Sequence, residues 1–176
     1  MKTLNNKQTK RPPSPEGANV FYVDTENHFM AQAKEMAKLS NEKQQPVGAV
    51  IVLDGKIIIS AYNTNPLKNS FFINLHKKYC IRHILKIPTG KHYWICPGCA
   101  KKKDHAEFKV SKQFLEKGIT NKPVDLYMWG HWACCDECCV SMEKIPIDNI
   151  YFLNNSDIFF NPKIPGNIIG RQFDNE

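Results

Sequence analysis

Between Val47 and Tyr62 the chain reads Val-Gly-Ala-Val-Ile-Val-Leu, then Asp-Gly, then Lys-Ile-Ile-Ile-Ser-Ala-Tyr. Two β-branched runs joined by Asp54-Gly55 predict a tight antiparallel hairpin, because the two-residue turns that suit strand twist demand positive φ angles. The first run is apolar throughout and lacks alternation, so that strand is expected to be buried on both faces. The rest of the chain must supply the cover.

The remaining pattern supplies it. A helix is predicted from Asn27 to Leu39, where Phe29, Met30, Ala33, Met36, Ala37 and Leu39 form a stripe near the 3.6-residue period. After the hairpin, His105 to Lys117 reads as a helix with Ala106, Val110, Phe114 and Leu115 inward and Gly118 just past its end. Val124–Trp129 reads as a strand, Asp136 to about Glu143 as a helix and Asn149–Leu153 as a strand. Helices alternating with strands imply an α/β protein with a mixed sheet and helices on its faces. The segment beyond Asn154, with Asn161, Pro162, Pro165 and Gly166, gives no firm assignment.

Domain organisation follows from length and composition. At 176 residues one domain is expected, residues 19–176, behind a mobile, basic, Pro-rich tail at 1–18. Residues 64–104 form an insertion without a lasting period, too long for a bare loop in a compact domain. It must hold short helices or be tied down. No apolar run approaches the ~20 residues that span a bilayer, and the start lacks the apolar core of a secretion signal. A cytoplasmic protein with no membrane partner is therefore expected. Seven cysteines fit this, since they cluster in close pairs near histidines, as metal ligands do in reducing compartments. The net charge of +7 favours an anionic partner, such as a nucleotide or a polynucleotide.

Two cysteine clusters carry the chemistry. His105-Ala106-Glu107 opens one predicted helix, and Cys135-Asp136-Glu137-Cys138 opens the next. Between them lie one helix, one turn and one strand, enough to return the chain to the same sheet edge. One imidazole and two thiolates hold Zn²⁺ and leave its fourth tetrahedral position open, as catalytic sites require. Glu107 sits beside this metal without ligating it, placed to move protons. A fourth ligand from Cys134 or Cys139 would instead close the site; Cys135 with Cys138 has the preferred spacing. In the insertion, Cys80-x-x-His83 and Cys96-x-x-Cys99 form a four-ligand set for a second, structural zinc, with His76 and His92 as alternative ligands.

His-x-Glu followed at this separation by Cys-x-x-Cys resembles the pattern of the zinc nucleobase deaminases. Residues 27 to 153 resemble the cytidine and deoxycytidylate deaminase superfamily more broadly. Gly-Ala-Val-Ile-Val at 48–52 is similar to its first strand, and Ala-Tyr-Asn-Thr-Asn-Pro at 61–66 to its Gly-Tyr-Asn-Gly-x-Pro segment. The insertion, with Cys80, Cys96 and then His105-Ala-Glu, is most like that of deoxycytidylate deaminases. Phe108-Lys109-Val110 and Ala133-Cys134 depart from the family pattern without touching the zinc chemistry.

The resemblance implies a three-layer α/β/α sandwich with a mixed central sheet, a homo-oligomer, and hydrolysis of dCMP to dUMP. It implies that Asn63 binds sugar or base. Arg82, ahead of Lys68 and Lys109, is the expected phosphate contact, since Arg suits bidentate phosphate recognition. Ala106 and Trp132 complete the expected substrate contacts, with Trp129, His131 and Trp132 as rings on which a base could stack. Two other readings stay open: a deaminase of single-stranded DNA or RNA, favoured by the +7 charge, and a non-catalytic zinc module that binds nucleic acid or a protein.

Overall fold

The computed structural model describes residues 14–88, 91–119 and 121–174. Five strands form one sheet: β1 (Asn19–Val23), β2 (Gly48–Leu53), β3 (Lys56–Tyr62), β4 (Val124–Trp129) and β5 (Ile147–Leu153), in the order β1-β5-β4-β2-β3. β2 runs antiparallel to both β3 and β4, while β4, β5 and β1 are parallel to one another. The sheet is mixed, as expected.

The hairpin forms as its sequence demands. Asp54 and Gly55 take φ of 48° and 73°, the pair of positive angles that a primed turn requires. β2 lies between two partners, and Ala49, Val50, Ile51 and Val52 are all buried. Alternate residues serve opposite layers: Ala49 and Ile51 join one core cluster, Val50 and Val52 the other.

α1 (His28–Lys38) covers one face through Met30, Ala33 and Ala37. Asn27 caps it, its side chain accepting from the backbone N–H of Phe29 and Met30. α4 (Ala106–Lys117) and α5 (Asp136–Met142) cover the other face, with Val110, Phe114, Cys138 and Met142 packed on Ile51, Leu126, Met128, Ile150 and Phe152. Each such large apolar side chain contributes roughly 1.5–3 kcal/mol on full burial. The result is three layers, α/β/α. Gly48 lets α1 approach closely, since a Cβ there would lie 1.9 Å from the Ala33 carbonyl oxygen.

Three details differ from the sequence reading. Leu115, expected inward, is 50% exposed; Ser111 on the same helix is buried instead, because the packed face of α4 follows 107, 110, 111 and 114. β1 was not anticipated, because a parallel edge strand exposed at Phe21 and Tyr22 shows no alternation. The C-terminal segment, left unassigned, forms a short helix α6 (Ser156–Phe159) and turns that cover the α1 side, with Phe160 and Phe173 against Trp129. Of the expected tail, residues 1–13 lie outside the described residues, and Ala18 packs in the core. Among the described residues, no helix is long and apolar enough to cross a membrane.

The insertion folds as short pieces: α2 (Ser70–Lys78), the single turn α3 (Ile81–Ile84), and 3₁₀ turns at Tyr93–Ile95 and Lys102–Asp104. Its two ends meet, the Thr64 N–H donating to the Asp104 carbonyl at 2.8 Å. The insertion thus leaves the sheet at β3 and returns beside it immediately before His105.

Candidate active site

Two chain crossings deliver the site. His105 is the residue preceding the first turn of α4, in extended backbone at φ −79°, ψ 144°. Cys135 occupies the same position before α5, and Cys138 stands in that helix's first turn. Both helices rise from the same side of the sheet, so the three side chains converge. His105 Nδ1 lies 3.4 Å from Cys135 Sγ and 3.3 Å from Cys138 Sγ. All three donor atoms lie within 4.8 Å of one another. Tetrahedral zinc with ordinary Zn–S and Zn–N bonds separates nitrogen from sulfur by about 3.6 Å, so the donor set fits zinc.

The fourth corner is not taken by a neighbouring thiol. Cys134 turns into the core, with Sγ 3.8 Å from Met128 Sδ. Its hydrogen bond with Cys139 and its burial push its pKa well up, so it stays a packed neutral thiol. Glu107, in the first turn of α4, is only 4% exposed. Among the described residues, none hydrogen-bonds its carboxylate. Its charge is felt at His105, Cys135, Cys138 and His131, so it lies near the cluster.

The ring of His105 is held from three sides. Its Nδ1 faces the sulfurs, so its other nitrogen donates to the Ala100 carbonyl. Tyr93 packs edge-on at 5.3 Å between ring centroids. Burial alone would lower the imidazole pKa, but the Cys135 hydrogen bond, the Glu107 charge and the Ala100 carbonyl outweigh it and raise it. Cys135 is brought down to about 6 by the hydrogen bond from Cys138, against burial and with help from His105, while Cys138 is pushed up by sharing that proton. Burial lowers the pKa of His131; Glu107 opposes the shift and His105 reinforces it. Its Nδ1 accepts the Ala133 N–H at 3.1 Å, leaving a neutral ring with Nε2 as donor.

The sequence profile of the cytidine and deoxycytidylate deaminase zinc-binding region matches residues 23–154. The chain belongs to this family. A solved structure from a study of A-to-I editing by tRNA:A34 deaminases at the wobble position of transfer RNA is similar at 23% identity. That alignment covers 71% of this chain and 73% of that one, with a TM-score of 0.41. No curated protein matches the chain.

Other expected site residues of this family member fall elsewhere. Asn63 is buried as a loop staple: its oxygen accepts from the Val47 N–H and the Ser40 hydroxyl, and its amide donates to the Gln45 carbonyl. Arg82 is not positioned as a phosphate contact. Its guanidinium donates to the Lys91 and Pro88 carbonyls, points at Cys99 Sγ and stacks 4.0 Å over Tyr93, all inside the insertion. Lys109 is likewise engaged, donating to the Tyr62 carbonyl and Thr64 hydroxyl. Ala106 is fully buried in the core, so its side chain offers no surface to a ligand. Trp132 is half-buried and stacked on His131, whereas Trp129 is core.

The insertion cysteines also converge, with one change of partner. His76, Cys80, Cys96 and Cys99 gather within 4.8 Å. His83 does not join them: Arg82 takes the inward face of the one-turn helix α3 and leaves His83 exposed. His92 is exposed as well. The parts of the site that the sequence did not disclose are Ala100 and Tyr93, since a carbonyl has no residue signature and a lone tyrosine no spacing.

Proposed function

We propose that the protein removes the amino group from C4 of cytosine by hydrolysis, with dCMP as substrate and dUMP as product. The observation that carries this reading is a buried carboxylate, Glu107, with no hydrogen-bond partner among the described residues, set beside a three-donor cluster whose fourth corner no described thiol fills. A purely structural metal site has no use for that acid.

The residues divide the work. His105, Cys135 and Cys138 hold zinc, which supplies a nucleophile at neutral pH by acidifying water. Glu107 would pass one proton of the attacking water to N3 of the pyrimidine ring, and then carry the second, from the oxygen added at C4, to the departing nitrogen. A C–O bond forms at C4, the C–N bond breaks, and the nitrogen leaves as ammonia. The Ala100 carbonyl keeps a proton on the far nitrogen of His105, so Nδ1 stays free to ligate. Trp132 and His131, at the end of β4, offer aromatic faces to the base.

The likeness of the insertion to that of deoxycytidylate deaminases supports a free nucleotide. The +7 charge supports a second reading, a cytosine in single-stranded nucleic acid. Ammonia release from dCMP, cytidine and a cytosine-bearing oligonucleotide separates them. Release from dCMP by the wild type, and none by a Glu107→Ala variant with unchanged zinc content, is expected. Release from the oligonucleotide alone would move the reading to the polymer. Zinc-loaded protein inert towards all three would leave a binding module.

A further inference from the structure

We propose that His76, Cys80, Cys96 and Cys99 bind a second zinc ion in a closed, four-ligand site that holds the insertion against His105. This site stands on its own geometry and does not depend on the reaction proposed above.

The donor atoms already have the right separations. Cys80 Sγ lies 3.6 Å from Cys99 Sγ, and Cys99 Sγ lies 3.5 Å from His76 Nε2. Tetrahedral zinc places two thiolates about 3.8 Å apart and a thiolate and imidazole about 3.6 Å apart. No disulfide joins the cysteines, which are all free. Three soft sulfurs and one imidazole select zinc over magnesium or calcium. Backbone N–H groups of Gly98, Ile81 and Cys99 point at Cys96 Sγ, as expected around a thiolate ligand. Gly98 is needed for the histidine: a Cβ there would sit 2.4 Å from the His76 ring.

The energetics demand a metal as strongly as the geometry allows one. α2 buries none of its residues, and Phe71, Phe72 and Leu75 on it are exposed. The insertion's own core cluster consists of Cys80, Cys96 and Cys99, with Tyr93 packed against them. Three thiols give too little apolar area to order about forty residues, whereas metal binding supplies folding free energy directly. The consequence reaches the first cluster. Cys99 precedes Ala100, whose carbonyl takes the His105 ring proton, and Arg82 bridges Cys99 to Tyr93, which packs on His105. Ala100 and Tyr93 act as positioning groups for the catalytic imidazole.

Zinc per chain, measured by mass spectrometry of the purified full-length protein, tests the site. The wild type is expected to hold about two ions, His76→Ala and Cys99→Ser about one, and His83→Ala about two. Replacement of zinc by cobalt in the wild type guards against variants that fail to fold. Its charge-transfer absorption should match five thiolate ligands rather than the two of Cys135 and Cys138. For the positioning role, Tyr93→Leu should keep both ions yet give up the His105 ion to a competing chelator about tenfold more readily. One zinc in the wild type, two in His76→Ala, or absorption sized for two thiolates would overturn the second site. Unchanged chelator competition in Tyr93→Leu would overturn its link to His105.

Discussion

The two thiol clusters draw on the same donor types in different numbers and different surroundings. His105, Cys135 and Cys138 come from the starts of two helices fixed by the sheet, so the core places them before any metal arrives. His76 comes from α2, which buries none of its residues, and Cys80, Cys96 and Cys99 from the short turns after it, with almost no core of their own. The first cluster has three donors and a buried acid alongside; the second has four donors. Ligand count and the neighbouring carboxylate, more than ligand type, separate a site suited to chemistry from one suited to holding shape.

The sharpest way to break that contrast is to remove the acid. Glu107→Gln should lower kcat for ammonia release by about 10²–10⁴ while both zinc ions remain. Equal loss of zinc would make Glu107 a structural residue and erase the distinction. Next in size, Cys138→Ala should remove one ion and all activity but leave the insertion resistant to proteolysis, whereas Cys99→Ser should open the insertion to proteolysis. Limited digestion of the two variants side by side reads this out. A smaller effect is expected from Gly98→Ala. Its Cβ would press the His76 ring, and chelator competition should show several-fold weaker binding at the second site, with kcat for residual holoenzyme unchanged.

Acidification gives the finest comparison. With the thiol of Cys138 donating to it, Cys135 stays ionised down to about 6, whereas burial pushes Cys99 up to about 12. A thiol with a raised pKa must lose a proton to bind metal at any neutral pH, so affinity at the second site should rise with pH throughout that range. The first site shares that rise, since the Cys138 thiol is also pushed up, but there Cys135 takes up a further proton below about 6, so zinc affinity should steepen its fall on crossing that value. Competition titrations from mildly acidic to mildly alkaline pH measure both slopes.

Much of this was legible in the chain itself. Asp54-Gly55 could make only one kind of turn, and the unbroken apolar run of β2 required cover on two faces. His105, Cys135 and Cys138 could be read because their spacing follows from helix and strand lengths. Leu115 and Arg82 could not. Each sits in a pattern that suits two directions, and packing decided between them: Leu115 faces solvent, and Arg82 turns into the insertion.

By itself, then, the sequence determined the hairpin, the helix before it, the later helices and strands of the mixed sheet and the three donors at helix starts, because local periodicity and turn chemistry act over a few residues. The tertiary structure alone decided that His76 and not His83 completes the second cluster, and that the Ala100 carbonyl and the Tyr93 ring hold His105. Those choices depend on which face of a single helical turn meets a distant loop, and no local pattern encodes a backbone carbonyl's direction.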